Sequence, residues 1–240
     1  MNIYITFDYE LFFGSQTGSA EKCILYPTEE LIKIADKYNV RFSFFTDCGY
    51  LLKLDEYRKK YPKLEKEFSQ VKKQIETLSQ KGHDIQLHIH PHWEDSFYDG
   101  EKWVIDIKRY KLSDFDKSDI HRIVRDYNKI ITDITGKYPN TFRAGGWCLQ
   151  PFEKIKEALK ENKVWIDSSV FKGGYNDREN YYYDFRKHPG KDKWNFEHDP
   201  TTEDTNGKFL ELPIDSMKLS PFFFWKLFLL GRLKSYYHKP

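Results

Sequence analysis

His88, His90 and His92 occupy alternate positions in the run Gly82-His83-Asp84-Ile85-Gln86-Leu87-His88-Ile89-His90-Pro91-His92-Trp93. Imidazole is the commonest protein ligand for a catalytic transition metal, so this run is a dense offering of donors. A metal there needs an anionic partner, and Thr6-Phe7-Asp8-Tyr9-Glu10 supplies two carboxylates early in the chain. Two residues apart on an extended segment, Asp8 and Glu10 lie on the same side. A hydrolytic zinc site takes three protein ligands and keeps one position for water. The metal acidifies that water and polarises a carbonyl, a carboxylate takes the proton, and an acid protonates the leaving group. Two histidines and a carboxylate as ligands, with a second carboxylate as base, make a metal-dependent hydrolase the leading reading. His88 with His90 is a rival ligand pair. Pro91 disfavours a helix here, so the run is not a helical His-Glu-x-x-His site.

These groups need elements to aim them. Apolar alternation of Ile85, Leu87 and Ile89 predicts a strand over Asp84–Ile89 that carries the histidines at its end. Residues 2–7 read as a first strand ending beside Asp8, and residues 40–45 as a second. Thr141–Ala144, 164–166 and 209–214 read as the fourth, fifth and sixth. Between them, 28–38 reads as an amphipathic helix, and 50–81 as two helices broken near Pro62, with Gly82 as a C-cap. Over 119–135, Ile120, Ile123, Val124, Tyr127, Ile130, Ile131 and Ile134 recur at helical spacing and Gly136 follows. A further helix spans 151–162, with Pro151 in its first turn. A loop from Pro91 to about Leu112 carries Trp93, Phe97, Tyr98 and Trp103, with a turn at Asp99-Gly100. Residues 171–206 read as a long, polar, aromatic-rich loop. Strands alternating with helices mean a parallel sheet or barrel. In a βα barrel the strand C-termini carry the site, so Asp8, Glu10, His88 to His92, Arg143 and Asp167 converge on one mouth.

Composition bounds the partners. At 240 residues a single domain over 1–240 is expected. The net charge is +2 and no Lys/Arg stripe stands out, which argues against nucleic acid. The 6 Trp, 17 Tyr and 19 Phe suit either a core or stacking against sugar faces. Cys23, Cys48 and Cys148 are far apart, which fits reduced thiols and a cytoplasmic protein. No basic and apolar leader precedes the first strand, so no secretory signal is expected. The apolar segment 221–231, PFFFWKLFLLG, is too short to span a bilayer. With Lys226, Arg232, Lys234 and Lys239 in or after it, it reads as a core-closing or dimer helix, or as a peripheral contact at the inner membrane face.

The ordered motifs resemble the polysaccharide deacetylases of carbohydrate esterase family 4. Thr6-Phe7-Asp8 is similar to that family's Thr-Phe-Asp-Asp motif. Gly82-His83-Asp84-Ile85 leading to His88 and His92 resembles the second motif, where histidines four apart bind the metal. Phe142-Arg143-Ala144-Gly145-Gly146-Trp147 resembles the third, Asp167-Ser168-Ser169 the fourth, and Leu210-Glu211-Leu212-Pro213 a variant of the fifth. The resemblance implies a distorted (β/α) barrel, seven-stranded, in the α/β class. It implies Glu10, His88 and His92 as metal ligands, Glu10 taking over the acidic role that Tyr9 cannot fill. Asp8 becomes the base, oriented by Arg143, or exchanges that role with Glu10, and Asp167 is a third catalytic candidate. Trp93, Trp147 and His90 are the substrate-binding candidates. The fifth motif's usual histidine is Glu211 here, which leaves His90, His188, His198 or Glu211 as general acid. A His-x-His pair also occurs in the amidohydrolase superfamily, but there it ends the first strand.

The expected activity is therefore N-deacetylation of an amino sugar in cell-surface polysaccharide biosynthesis, with one divalent metal: zinc first, then nickel, cobalt or iron. A cytoplasmic enzyme would meet a nucleotide-linked or lipid-linked sugar. The alternatives are a C–N hydrolase acting on a non-sugar amide, and a noncatalytic carbohydrate-binding or scaffold protein on the same barrel.

Overall fold

The computed structural model describes residues 3–12, 17–178, 180–216 and 219–237, with backbone only for 233–237. Its strands are β1 (Thr6–Tyr9), β2 (Ser43–Asp47), β3 (Asp84–Ile89), β4 (Phe97–Tyr98), β5 (Trp103–Val104), β6 (Thr141–Ala144), β7 (Ile166–Asp167), β8 (Tyr175–Asn176), β9 (Tyr183–Asp184), β10 (Trp194–Phe196) and β11 (Phe209–Glu211). The helices are α1 (Tyr26–Tyr38), α2 (Cys48–Tyr57), α3 (Pro62–Gln80), α4 (Lys117–Thr135), α5 (Lys156–Glu161) and α6 (Pro221–Tyr237). Seven strands share one sheet in the order β1-β2-β3-β6-β7-β11-β10. All neighbours run parallel except β10, which lies antiparallel to β11 at the edge. The remaining strands form two small hairpins, β4–β5 and β8–β9.

The sheet curls into an open barrel. Arg143 on β6 bonds Thr6 and Asp8 on β1, although β1 is three strands away in the sheet order. Three strand spacings on a flat sheet are about 14 Å, beyond the reach of one side chain, so the strands must wrap toward each other. No ladder joins β1 to β10 among the described residues.

Patterning explains the layers. Helix α4 buries Ile120, Ile123, Val124, Tyr127, Ile130 and Ile131 against the sheet, each buried aliphatic side chain being worth roughly 1.5–3 kcal/mol. Asp116 caps it by accepting from Asp119 N–H at 2.9 Å, and Gly136 ends it at φ 71°. The break expected near Pro62 falls between α2 and α3, because Pro62 sits in the first turn of α3 and Tyr61 before it is extended. The Asp99-Gly100 turn links β4 and β5, with Asp99 Oδ1 accepting from Glu101 and Lys102 N–H.

Boundaries shift where apolar runs and ladders part company. The 2–7 reading becomes Thr6–Tyr9, Asn2 lying outside the described residues; 40–45 becomes Ser43–Asp47; 209–214 becomes Phe209–Glu211. Hydrophobicity marks what is buried, whereas ladder ends are set by the partner strand. Residues 151–162 hold a 3-10 turn, Phe152–Lys154, before the short α5. The expected long loop contains β8, β9 and the seventh sheet strand, β10, whose Trp-Asn-Phe is too short to carry a period.

The parallel strands end together, so Glu10, Asp47, His90 and Gly145 follow or close neighbouring strands at one rim. No helix among the described residues is long and apolar enough to cross a membrane.

Candidate active site

Three donor atoms converge at that rim. Glu10 Oε2 lies 3.2 Å from His88 Nε2 and 2.7 Å from His90 Nε2, and the two imidazole nitrogens are 3.0 Å apart. His88 and His90 are two residues apart at the end of an extended strand, so both rings face the barrel interior. Neighbouring corners of a tetrahedral site with bonds near 2.05 Å are about 3.3 Å apart, and one carboxylate with two imidazoles suits zinc and its neighbours. The fit extends to the tautomer. His88 Nδ1–H donates to the Arg143 carbonyl at 3.0 Å, which turns the Nε2 lone pair toward Glu10. Burial alone would lower the His88 pKa and raise that of Glu10. Their mutual attraction outweighs burial: Glu10 falls far below the carboxylate range, and His88 rises to about 9 with help from Asp8 and Asp47.

Asp8 stands beside this cluster. Its Oδ1 accepts from Arg143 Nη1 at 2.5 Å, while Oδ2 lies 4.0 Å from His88 Nε2. Arg143 is itself buried and fully engaged: Nε–H donates to the Ser168 carbonyl, Nη2 to Thr6 Oγ1 and Ser168 Oγ, and the guanidinium lies 4.0 Å from the Phe45 ring centre. The Asp8 side chain is 30 % exposed and that of Glu10 27 %, so substrate can reach both. Tyr9 between them faces the other way and donates its hydroxyl to Gln74 on α3. That alternation is why the second carboxylate of this segment is residue 10.

Several expected residues stand elsewhere. Among the described residues, the group whose donor atoms lie within 4.8 Å of one another is Glu10, His88 and His90, and His92 is not part of it. Pro91 opens a 3-10 turn, and the His92 ring stacks between Tyr110 and Trp93 at interplanar angles of 6° and 28°, with its centre 5.2 Å from that of His90. Burial, with His90 nearby, depresses His92 to about 2, which makes it a neutral core group. His90 is accordingly a ligand candidate instead of a substrate contact. Trp93 is 0 % exposed and donates its indole N–H to Asp47 at 2.7 Å, so its face is out of a substrate's reach. Asp167 is likewise fully buried, accepting from Ser169 Oγ at 2.6 Å and paired in register with Glu211, so it is out of a substrate's reach. Glu211 is buried as well. Of the other acid candidates, His198 pairs with Glu153 at 2.8 Å and His188 stacks on Trp194. Trp147 keeps an exposed face at 38 %, in a left-handed conformation with φ 60° that places it beside Phe171 and Tyr183. Holding a tryptophan there costs of order 1–3 kcal/mol, a strain typical of functional rims. His238 and Lys239 lie outside the described residues.

Two contributors were not singled out from the sequence. Asp47, in register with His88, accepts from Tyr50 N–H and Trp93 Nε1 and is pushed up to about 6, chiefly by burial. Its signal was a carboxylate ending an apolar strand. Gly145 lies against the His90 ring, where a Cβ would fall 2.4 Å from Nδ1. The absence of a side chain allows that approach, which the residue types alone do not reveal.

No family model and no curated protein matches the chain. Solved structures do. One is described as a polysaccharide deacetylase from Mycobacterium smegmatis (15 % identity, 92 % of this chain and 63 % of that one, TM-score 0.47). Another is a family 4 acetyl xylan esterase from Clostridium thermocellum with a cobalt ion (16 %, 71 % and 58 %, 0.37). A third is a carbohydrate esterase family 4 pseudoenzyme from Bacillus anthracis (10 %, 67 % and 40 %, 0.38). The chain spans less than two thirds of the length of each.

Proposed function

We propose that the chain is a metal-dependent hydrolase of an amide C–N bond that removes the N-acetyl group from an amino sugar. The observation that carries this reading is the placement of Asp8. One carboxylate oxygen is clamped by Arg143 and the other faces the Glu10–His88–His90 donors at 4.0 Å. A base beside a three-donor cluster is the arrangement that activation of a water requires.

Glu10, His88 and His90 would hold one divalent ion, zinc first and nickel, cobalt or iron as alternatives. Such an ion acidifies water and polarises the acetyl carbonyl. Asp8 takes the proton from the attacking water. Once protonated, Asp8 is the group placed to return that proton to the departing amine, since His188, His198 and Glu211 are engaged or buried away from the rim. The Arg143 guanidinium fixes the orientation of Asp8. Trp147 offers its exposed face to the sugar ring. The substrate in this reading is a nucleotide-linked or lipid-linked amino sugar met in the cytoplasm, in the making of a cell-surface polysaccharide.

Zinc-loaded protein tested against N-acetylated amino sugars, free and nucleotide-linked, should release acetate. Asp8→Asn should lower the rate by roughly 10²–10⁴ with metal content unchanged. Sugar binding without acetate release, or full activity in Asp8→Asn, overturns the proposal and leaves a carbohydrate-binding protein.

A further inference from the structure

None of the described side chains of helix α6, 221–232, is buried. Phe222, Phe223, Phe224, Trp225, Leu227 and Phe228 are all more than 40 % exposed. At about 100° per residue they point to every side of the helix. A surface helix docked on protein needs only one apolar stripe, whereas a helix apolar all round belongs in a core or in lipid.

We propose that α6 docks the protein on an anionic bilayer by embedding in one leaflet. Charge favours this occupant. After Asp215 the sequence holds Lys218, Lys226, Arg232, Lys234 and Lys239 and no acidic residue. Cations on long stems reach headgroup phosphates while the helix body stays in the acyl region. Length agrees as well: the apolar part, 221–231, is about 16 Å long, close to half of a hydrocarbon core of about 30 Å. The aromatic cluster at its start suits the headgroup boundary.

The placement has a consequence for the site. Strand β11 runs parallel to β7, so it ends at the rim that carries Glu10 and His88. The chain is still held there at Ile214, whose N–H donates to the Val170 carbonyl at 2.7 Å and which bridges Phe171. Seven residues from Ile214 to Pro221 reach at most about 25 Å. Docking of α6 therefore keeps the mouth within that distance of the lipid surface, where a lipid-borne substrate would lie. The docking does not depend on the hydrolase reading.

Flotation with phosphatidylcholine vesicles, and with vesicles in which about a third of the lipid is phosphatidylglycerol, tests this directly. Wild type should float with the anionic vesicles. Phe224→Glu with Phe228→Glu should partition at least about tenfold less, with circular dichroism unchanged because both side chains are exposed. Lys226→Glu with Arg232→Glu should remove the preference for anionic lipid. Failure of wild type to float overturns the proposal. So does a wild-type dimer, seen by light scattering, that the Phe224→Glu, Phe228→Glu variant splits without any change in flotation, since the helix would then be covered by a second copy.

Discussion

Arg143 serves the site through two different groups. Its guanidinium clamps Asp8, and its backbone carbonyl fixes the His88 tautomer. The two roles separate in a variant. Arg143→Lys loses the fork but keeps the carbonyl, so acetate release should fall by at least roughly tenfold while metal binding stays within about twofold. Equal loss of both would show that the side chain also shapes the ligands. Gly145→Ala reverses the pattern. Its Cβ would press on the His90 ring, and metal affinity should drop roughly 10–100-fold, as disturbed ligand support usually costs. Titration with a chromophoric zinc chelator reads both variants. At this scale Asp8, Glu10, His88 and Arg143 are legible as a set because their types and strand-end positions announce them. His90 in place of His92 was legible only through strand alternation. The four-residue spacing of the resemblance points to His92, which after Pro91 stacks on Tyr110 and Trp93 and is not part of the Glu10–His88–His90 group.

Strand ends decide which carboxyl groups face water. On β7 and β11, Asp167 and Glu211 meet in register and are fully buried. Burial raises both, and for Glu211 the Asp167 charge adds to it, so Glu211 sits well above the ordinary carboxylate range. A folded-state pKa above the unfolded value gives stability that is whole below about pH 4.3 and declines as pH rises toward the folded pKa. Glu211→Gln mimics the protonated acid and removes that decline. Its unfolding free energy relative to wild type should therefore climb between pH 5 and pH 8, by up to about 1.4 kcal/mol per pH unit. Parallel denaturation curves across that range would contradict a protonated Glu211. Elements with long periods, α3 and α4, were legible almost to their caps, and β3 was legible to its ends. Strand β10 was not, since three residues supply no period and its place at the edge is set by β11.

At the scale of the molecule, curling brings segments more than a hundred residues apart within bonding distance, as in the bonds from Arg143 to Asp8 and to Thr6. The alternating strands and helices imply this wrapping, and the ordered motifs point to the same barrel. What sequence order leaves open is which donors share a point, because that depends on side-chain direction at each strand end. The proposed hydrolysis therefore depends on Glu10, His88 and His90 forming one metal centre. The most direct test is elemental mass spectrometry of zinc-loaded, desalted protein, comparing wild type, His90→Gln and His92→Phe, the last keeping the stack with Tyr110 and Trp93. About one equivalent of metal in wild type and in His92→Phe, with loss in His90→Gln, is the predicted result. Metal retained in His90→Gln and lost in His92→Phe, or absent from wild type, would contradict it.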